Sequence, residues 1–169
     1  MSATTEYGNS RASFGLLIDG EDVHPSNTFP VPDPITQKTV HLAPAGLRED
    51  ATLAVEAAER AFESWRDSTP LERRTIMLKA AEIMQARREE LSGSMMKETG
   101  AKASWAAFNI KTAIEMVHEA AGMATQIKGE ILQSNGKGTL AMNFKEPCGV
   151  VLGIAPWNAP IVSTSPVKM

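Results

Sequence analysis

One cysteine, Cys148, occurs in 169 residues, so no disulfide can close within the chain. A reducing compartment is the expected setting. Excess charge of one sign is missing too: 17 Lys and Arg stand against 20 Asp and Glu, a net charge of −3. A nucleic-acid binder would carry a basic face, and a membrane-surface protein a polybasic cluster. Neither partner is expected. The longest apolar run, Val150 to Trp157, is far too short to cross a bilayer. The opening MSATTEYGNSRASFG has Glu6 and no apolar stretch, so it does not read as a secretion signal. Residues 1–14 are expected to be a disordered tail, no Asn-x-Ser/Thr acceptor occurs, and the expected location is cytoplasmic.

Metal chemistry has no visible support. His24, His41 and His118 are scattered, with no i, i+4 pair and no His-Glu-x-x-His. They read as surface or loop residues. Cys148 has no histidine near it in sequence and reads as a small buried hydrophobe, not a nucleophile. No Gly-x-Gly-x-x-Gly follows an apolar strand, so the usual dinucleotide fingerprint is absent. No internal repeat is present.

What remains is ordinary globular composition, 43% hydrophobic and 22% charged, in a length suited to one domain. Asp19-Gly20 inside LLIDGEDV signals a tight hairpin. In FPVPDPITQKTVHL, the prolines at 30, 32 and 34 exclude a central strand. An edge-like segment, a turn near 35–38 and a short strand through Val40 fit better. Steps of three and four then begin. Leu53/Ala54, Ala57/Ala58, Ala61/Phe62 and Trp65 mark an amphipathic helix from Glu49. Thr69-Pro70-Leu71-Glu72 is a capping box with proline at the first helical position. That second helix carries Ile76/Met77, Ala80/Ala81 and Ile83/Met84, with Gly93 as its expected break and Gly100 as its C-cap. A third helix, 102–127, is expected to bury Trp105, Phe108, Thr112/Ala113, Met116, Ala120, Met123 and Ile127. Met77, Met84, Met116 and Met123 are all expected on core faces.

After Gly129 the pattern returns to strand. Asn135-Gly136 suits a turn joining 130–133 to 139–145. Gly149 to Ile154 is a continuous Val/Leu/Ile run, expected as a strand buried on both faces in a parallel sheet. The expected class is therefore α/β. Ala155-Pro156-Trp157-Asn158-Ala159-Pro160 follows directly. Ligands bind at the carboxyl ends of such strands. The Asn158 amide, held between prolines, suits an oxyanion donor. On local chemistry alone, a cap for a following helix, with Trp157 merely packing, is the favoured reading.

The pattern Glu146-Pro147-x-Gly149-Val150-Val151-x-x-Ile154-x-Pro156-Trp157-Asn158-x-Pro160 resembles the signature of the NAD(P)-dependent aldehyde dehydrogenase superfamily. Other segments agree in order. LLIDGEDV resembles the opening hairpin, DPITQKTV the next turn, Ala54 to Trp65 the first helix, the Arg73-Arg74 helix the second, and Lys97-Glu98-Thr99-Gly100 a helix end. VVLGIAPWNAPIV looks most like the branch acting on aromatic aldehydes such as salicylaldehyde or vanillin.

The resemblance implies the N-terminal part of the aldehyde dehydrogenase fold. Residues 15–48 would be strands and extended chain, and 49–128 the helical part of the cofactor-binding domain. Residues 129–146 would form an oligomerisation-type hairpin. Residues 147–169 would hold the first strand of an incomplete Rossmann-like sheet and the Pro-Trp-Asn loop. It implies Asn158 as the oxyanion donor, and Ile154, Ala155, Pro156 and Trp157 as contacts to NAD or NADP, mainly through backbone atoms. The implied reaction oxidises an aldehyde to an acid through a cysteine thiohemiacetal. The family's cysteine and glutamate would lie beyond position 169, so these residues alone are expected to be inactive and to self-associate. The alternative is a non-catalytic form that pairs by its strands with a full-length homologous subunit. Two departures stand out. Pro166 would interrupt a helix, at a cost of about 3 kcal/mol. Gln37 stands where the family often has a turn glycine and is strained if φ there is positive.

Overall fold

The computed structural model describes residues 14–164. The expected tail lies outside them except at its last residue. Phe14 is tied down: its N–H donates to Leu42 O, and its ring meets His41 edge-on at 4.8 Å. Pro166 also lies outside the described residues.

β1 (Leu16–Ile18) and β2 (Glu21–Val23) pair antiparallel around Asp19-Gly20, with Leu16 opposite Val23. Both turn residues have positive φ, 55° and 81°, as a two-residue hairpin turn requires. β3 (Thr28–Pro32) and β4 (Thr39–Pro44) form a second antiparallel ribbon, with a register shift at Val31/Pro32. A two-strand ribbon has only edges, so its prolines are tolerated. In the connecting turn, the Asp33 carboxylate accepts from the Ile35 and Thr36 amides at 2.7 and 3.1 Å. Those bonds, Ile35 first, hold its carboxyl below the usual aspartate range. Gln37 closes the turn at φ 60°, the left-handed conformation that costs a residue with a Cβ.

α1 (Arg48–Trp65) starts with Leu47 N–H donating to the Asp50 carboxylate at 2.8 Å. α2 (Pro70–Ala86) starts at the expected box: Glu72 N–H donates to Thr69 Oγ1, and Thr69 N–H to Glu72 Oε2 at 2.7 Å. The helix does not break at Gly93. It breaks at Arg87, and α3 (Arg88–Thr99) runs straight through the glycine. Glycine weakens a helix by about 1 kcal/mol without forbidding it. Gly100 ends α3 at φ 67°, as expected.

α4 (Ala103–Ala124) departs most from expectation. Its buried face is Ala106, Asn109, Ile110, Ala113, Ile114, Val117, Ala120, Ala121 and Ala124. Only Ala113 and Ala120 were expected there. Trp105, Phe108, Met123 and Ile127 are exposed, while Thr112 and Met116 are half-buried. The buried face carries mostly small residues because α2 and α3 pack against it, and ridge-and-groove packing at close range favours alanine over bulk. The core joins Ala81, Ile110, Ile114 and Val117, with Met77, Met84, Leu91 and Ile161 packed on it.

β5 (Glu130–Leu132) and β6 (Ala141–Asn143) form the third ribbon, Glu130 opposite Asn143. The expected strand at 149–154 does not form: this stretch has no strand partner among the described residues. Leu152 and Ile154 are 83% and 86% exposed, and Cys148 is exposed as well, not buried. A strand is defined by a neighbour that shares its hydrogen bonds, and every pair here is a local antiparallel one. α5 (Pro160–Thr164) then docks on α4, seating Ile161 on the core. Helices and sheets together give the α/β class, without a parallel pair among the described residues.

Candidate active site

The Pro-Trp-Asn loop lies between the exposed 149–154 segment and α5. Its two prolines fix φ near −65° on either side of Trp157-Asn158. Trp157 does not pack: it is 77% exposed. Asn158 does not cap α5 either. The backbone bond that opens that helix runs from Ser163 N–H to Ala159 O at 3.1 Å, and the Asn158 side chain makes no hydrogen bond among the described residues. The loop is held from α4. Trp105 Nε1–H donates to the Asn158 carbonyl at 3.2 Å, and the Trp105 ring stacks on Phe108 with centroids 5.5 Å apart.

Ile154, Pro156 and Trp157 are exposed and Ala155 is half-buried. Trp157-Asn158 form a turn, and the backbone groups of residues 154–157 make no hydrogen bond to another element among the described residues. Exposed main-chain groups of this kind fit a ligand contacted through the backbone. The carboxyls held below their ordinary range, Asp33, Glu72 and Glu90, all serve turns and helix starts away from this loop.

Of the histidines, His24 and His118 are exposed as expected. His41 is not a surface residue: its side chain is 12% exposed, between Phe14 and Glu98, whose carboxylate lies 3.8 Å away. Among the described residues no group of three or more His, Cys, Asp or Glu is placed to hold a metal ion. No helix among them is long and apolar enough to cross a membrane. Trp105 is the site residue that sequence pattern misplaced. It sits 53 positions from Asn158, and no spacing rule links them.

The sequence model of the Aldehyde dehydrogenase family matches residues 22–166. The chain belongs to the aldehyde dehydrogenase family. It is 46% identical over 152 residues to vanillin dehydrogenase of Pseudomonas fluorescens, covering 87% of this chain and 31% of that protein. Its fold superposes on salicylaldehyde dehydrogenase from Pseudomonas putida G7, solved with salicylaldehyde, with a TM-score of 0.87 and 34% identity. That match covers 90% of this chain and 32% of the other. Betaine aldehyde dehydrogenase from Staphylococcus aureus, solved with NAD+, matches with a TM-score of 0.83 and 32% identity, over 88% of this chain and 31% of that one. The chain thus spans about a third of the length of the aldehyde dehydrogenases it matches.

Proposed function

We propose that this chain supplies the oxyanion donor and one cofactor-facing wall of an aldehyde dehydrogenase acting on an aromatic aldehyde. The observation that carries the proposal is the Asn158 side chain, exposed and unbonded on a loop whose backbone is tethered to α4. An amide with no competing hydrogen bond, on a backbone that is held, is available to donate to a developing oxyanion. The reacting thiolate, contributed from outside these residues, adds to the aldehyde carbon, and a carbon–sulfur bond forms. The carbonyl π electrons move to oxygen, and Asn158 Nδ2 donates to the resulting oxyanion. Ile154, Ala155, Pro156 and Trp157 hold NAD or NADP through main-chain groups. When bound, it supplies the hydride acceptor for the aldehyde carbon. The aromatic-aldehyde assignment rests on the vanillin and salicylaldehyde relatives.

The proposal also covers partners. The β5–β6 ribbon exposes Ile131, Leu132 and Met142, flanked by exposed Leu140 and Phe144, and is assigned to pairing with another subunit. The exposed run from Val150 to Ile154 favours a second role, in which it adds as a strand to a full-length relative.

The test is a hybrid vanillin dehydrogenase in which residues 15–162 replace the relative's matching segment. Asn158→Ala should lower kcat by about 10²–10³. KM should change little, because the bond strengthens as charge develops. A kcat within about twofold of the parent removes Asn158 from the chemistry.

A further inference from the structure

We propose that Trp105 is a positioning residue for Asn158: its indole N–H fixes the Asn158 peptide, and so aims the side-chain amide that acts as oxyanion donor. This rests on the oxyanion reading of Asn158.

Between Ala155 and Asn158, the Trp105 bond is the one hydrogen bond that ties the loop to another element among the described residues. The carbonyl that accepts it belongs to Asn158 itself. Fixing that peptide plane fixes the position of the Asn158 Cα and the axis about which its side chain can swing, and so narrows where the amide can reach. An oxyanion donor works only when it is already within hydrogen-bond distance of where the charge will develop. Small misplacements are costly there.

Trp105 is in turn held in two ways. Its ring stacks on Phe108 with planes 25° apart. Its backbone carbonyl accepts from Asn109 Nδ2 at 3.0 Å. Asn109 is fully buried, the single buried polar side chain among the described residues. Its Oδ1 has no partner among those residues. A half-satisfied buried amide opposes stability, so packing alone does not account for asparagine at this position. Asn109 stands four residues after Trp105, on the same side of α4. It braces the turn that carries the indole, completing a relay from core to loop: Asn109 to Trp105 to Asn158.

Two measurements test this. In the 169-residue chain, proton exchange at the three indole N–H groups is followed by NMR. Trp105 should exchange more slowly than Trp65 and Trp157. Equal exchange at all three overturns the bond and the proposal.

In the hybrid enzyme, Trp105→Phe keeps an aromatic ring beside Phe108 and deletes the donor. It should lower kcat about 3–10-fold, the worth of one hydrogen bond, with KM within about twofold. In an Asn158→Ala background the same substitution should change kcat by less than about twofold. An equal loss in both backgrounds, a rise in KM in place of a fall in kcat, or no change overturns the Trp105 assignment alone. If Asn158→Ala itself leaves kcat unchanged, the oxyanion reading fails and this inference falls with it.

Discussion

Gly100→Ala should unfold the joint between α3 and the β3–β4 ribbon. Gly100 ends α3 at φ 67°, where a residue with a Cβ costs about 1–2 kcal/mol. Alanine recovers about 0.4–1 kcal/mol by restricting the unfolded chain. Backbone conformation alone therefore leaves a net loss near 1 kcal/mol. Space adds more. A Cβ built at Gly100 meets Pro34 Cγ at 2.8 Å, whereas carbon atoms rest about 3.5–4.0 Å apart. Pro34 sits in a turn already held by Asp33, so it yields little. Overpacking of this kind costs about 1–3 kcal/mol. The sum is about 2–4 kcal/mol, or roughly 4–16 °C in melting temperature for a chain of this length. Gly93 is the internal control. It lies within α3, and a Cβ there meets nothing within 4 Å. Gly93→Ala should therefore raise the melting temperature by about 2–4 °C. Circular dichroism melts of the three proteins at one concentration decide the matter. A Gly100→Ala protein as stable as the parent would refute both the clash and the docking of the ribbon on α3.

Acid should weaken the α2 start. The Thr69 backbone N–H, then its hydroxyl, holds the Glu72 carboxyl below the ordinary glutamate range. A depressed folded-state value gives stability that is present above the ordinary value and lost as pH falls through the folded one. Melting temperature should therefore drop between about pH 5 and 3, with a shallower slope in Glu72→Gln; identical slopes would contradict the cap. The chain should self-associate at micromolar concentration while keeping its helix signal, since Val151, Leu152, Ile154 and Trp157 are exposed and each side chain gains about 1.5–3 kcal/mol on burial. Sedimentation velocity that finds a monodisperse monomer would show that this surface is inert. The 169 residues alone should not reduce NAD or NADP with vanillin or salicylaldehyde, and Cys148→Ser should change nothing; turnover abolished by that substitution would make Cys148 a nucleophile.

Local chemistry was legible in the order of residues. Asp19-Gly20 specified its hairpin, Thr69-Pro70-x-Glu72 its helix start and Gly100 its helix end, because each depends on neighbours within about four positions. The third ribbon turns not at Asn135-Gly136 but at Lys137-Gly138, where Thr139 N–H donates to Gly136 O and Gly138 takes φ 75°. Gln37 belongs with the first three: a turn position expected to need glycine holds a glutamine at positive φ. The family was legible for a similar reason, since its signature is one contiguous run from Glu146 to Pro160.

Tertiary structure decided whatever depends on a partner. The 149–154 run has strand composition, yet pairing is a property of two segments, and this one has no neighbour among the described residues. Cys148 is exposed because it belongs to that same unpartnered stretch. The buried face of α4 follows the helices that touch it, so alanines went inward and Trp105 turned out toward Asn158. Apolar periodicity names the larger residues as the face, but the distance between helix axes selects which face is used. The candidate site divides in the same way. The residue order alone named Asn158, and the fold supplied the indole that holds it.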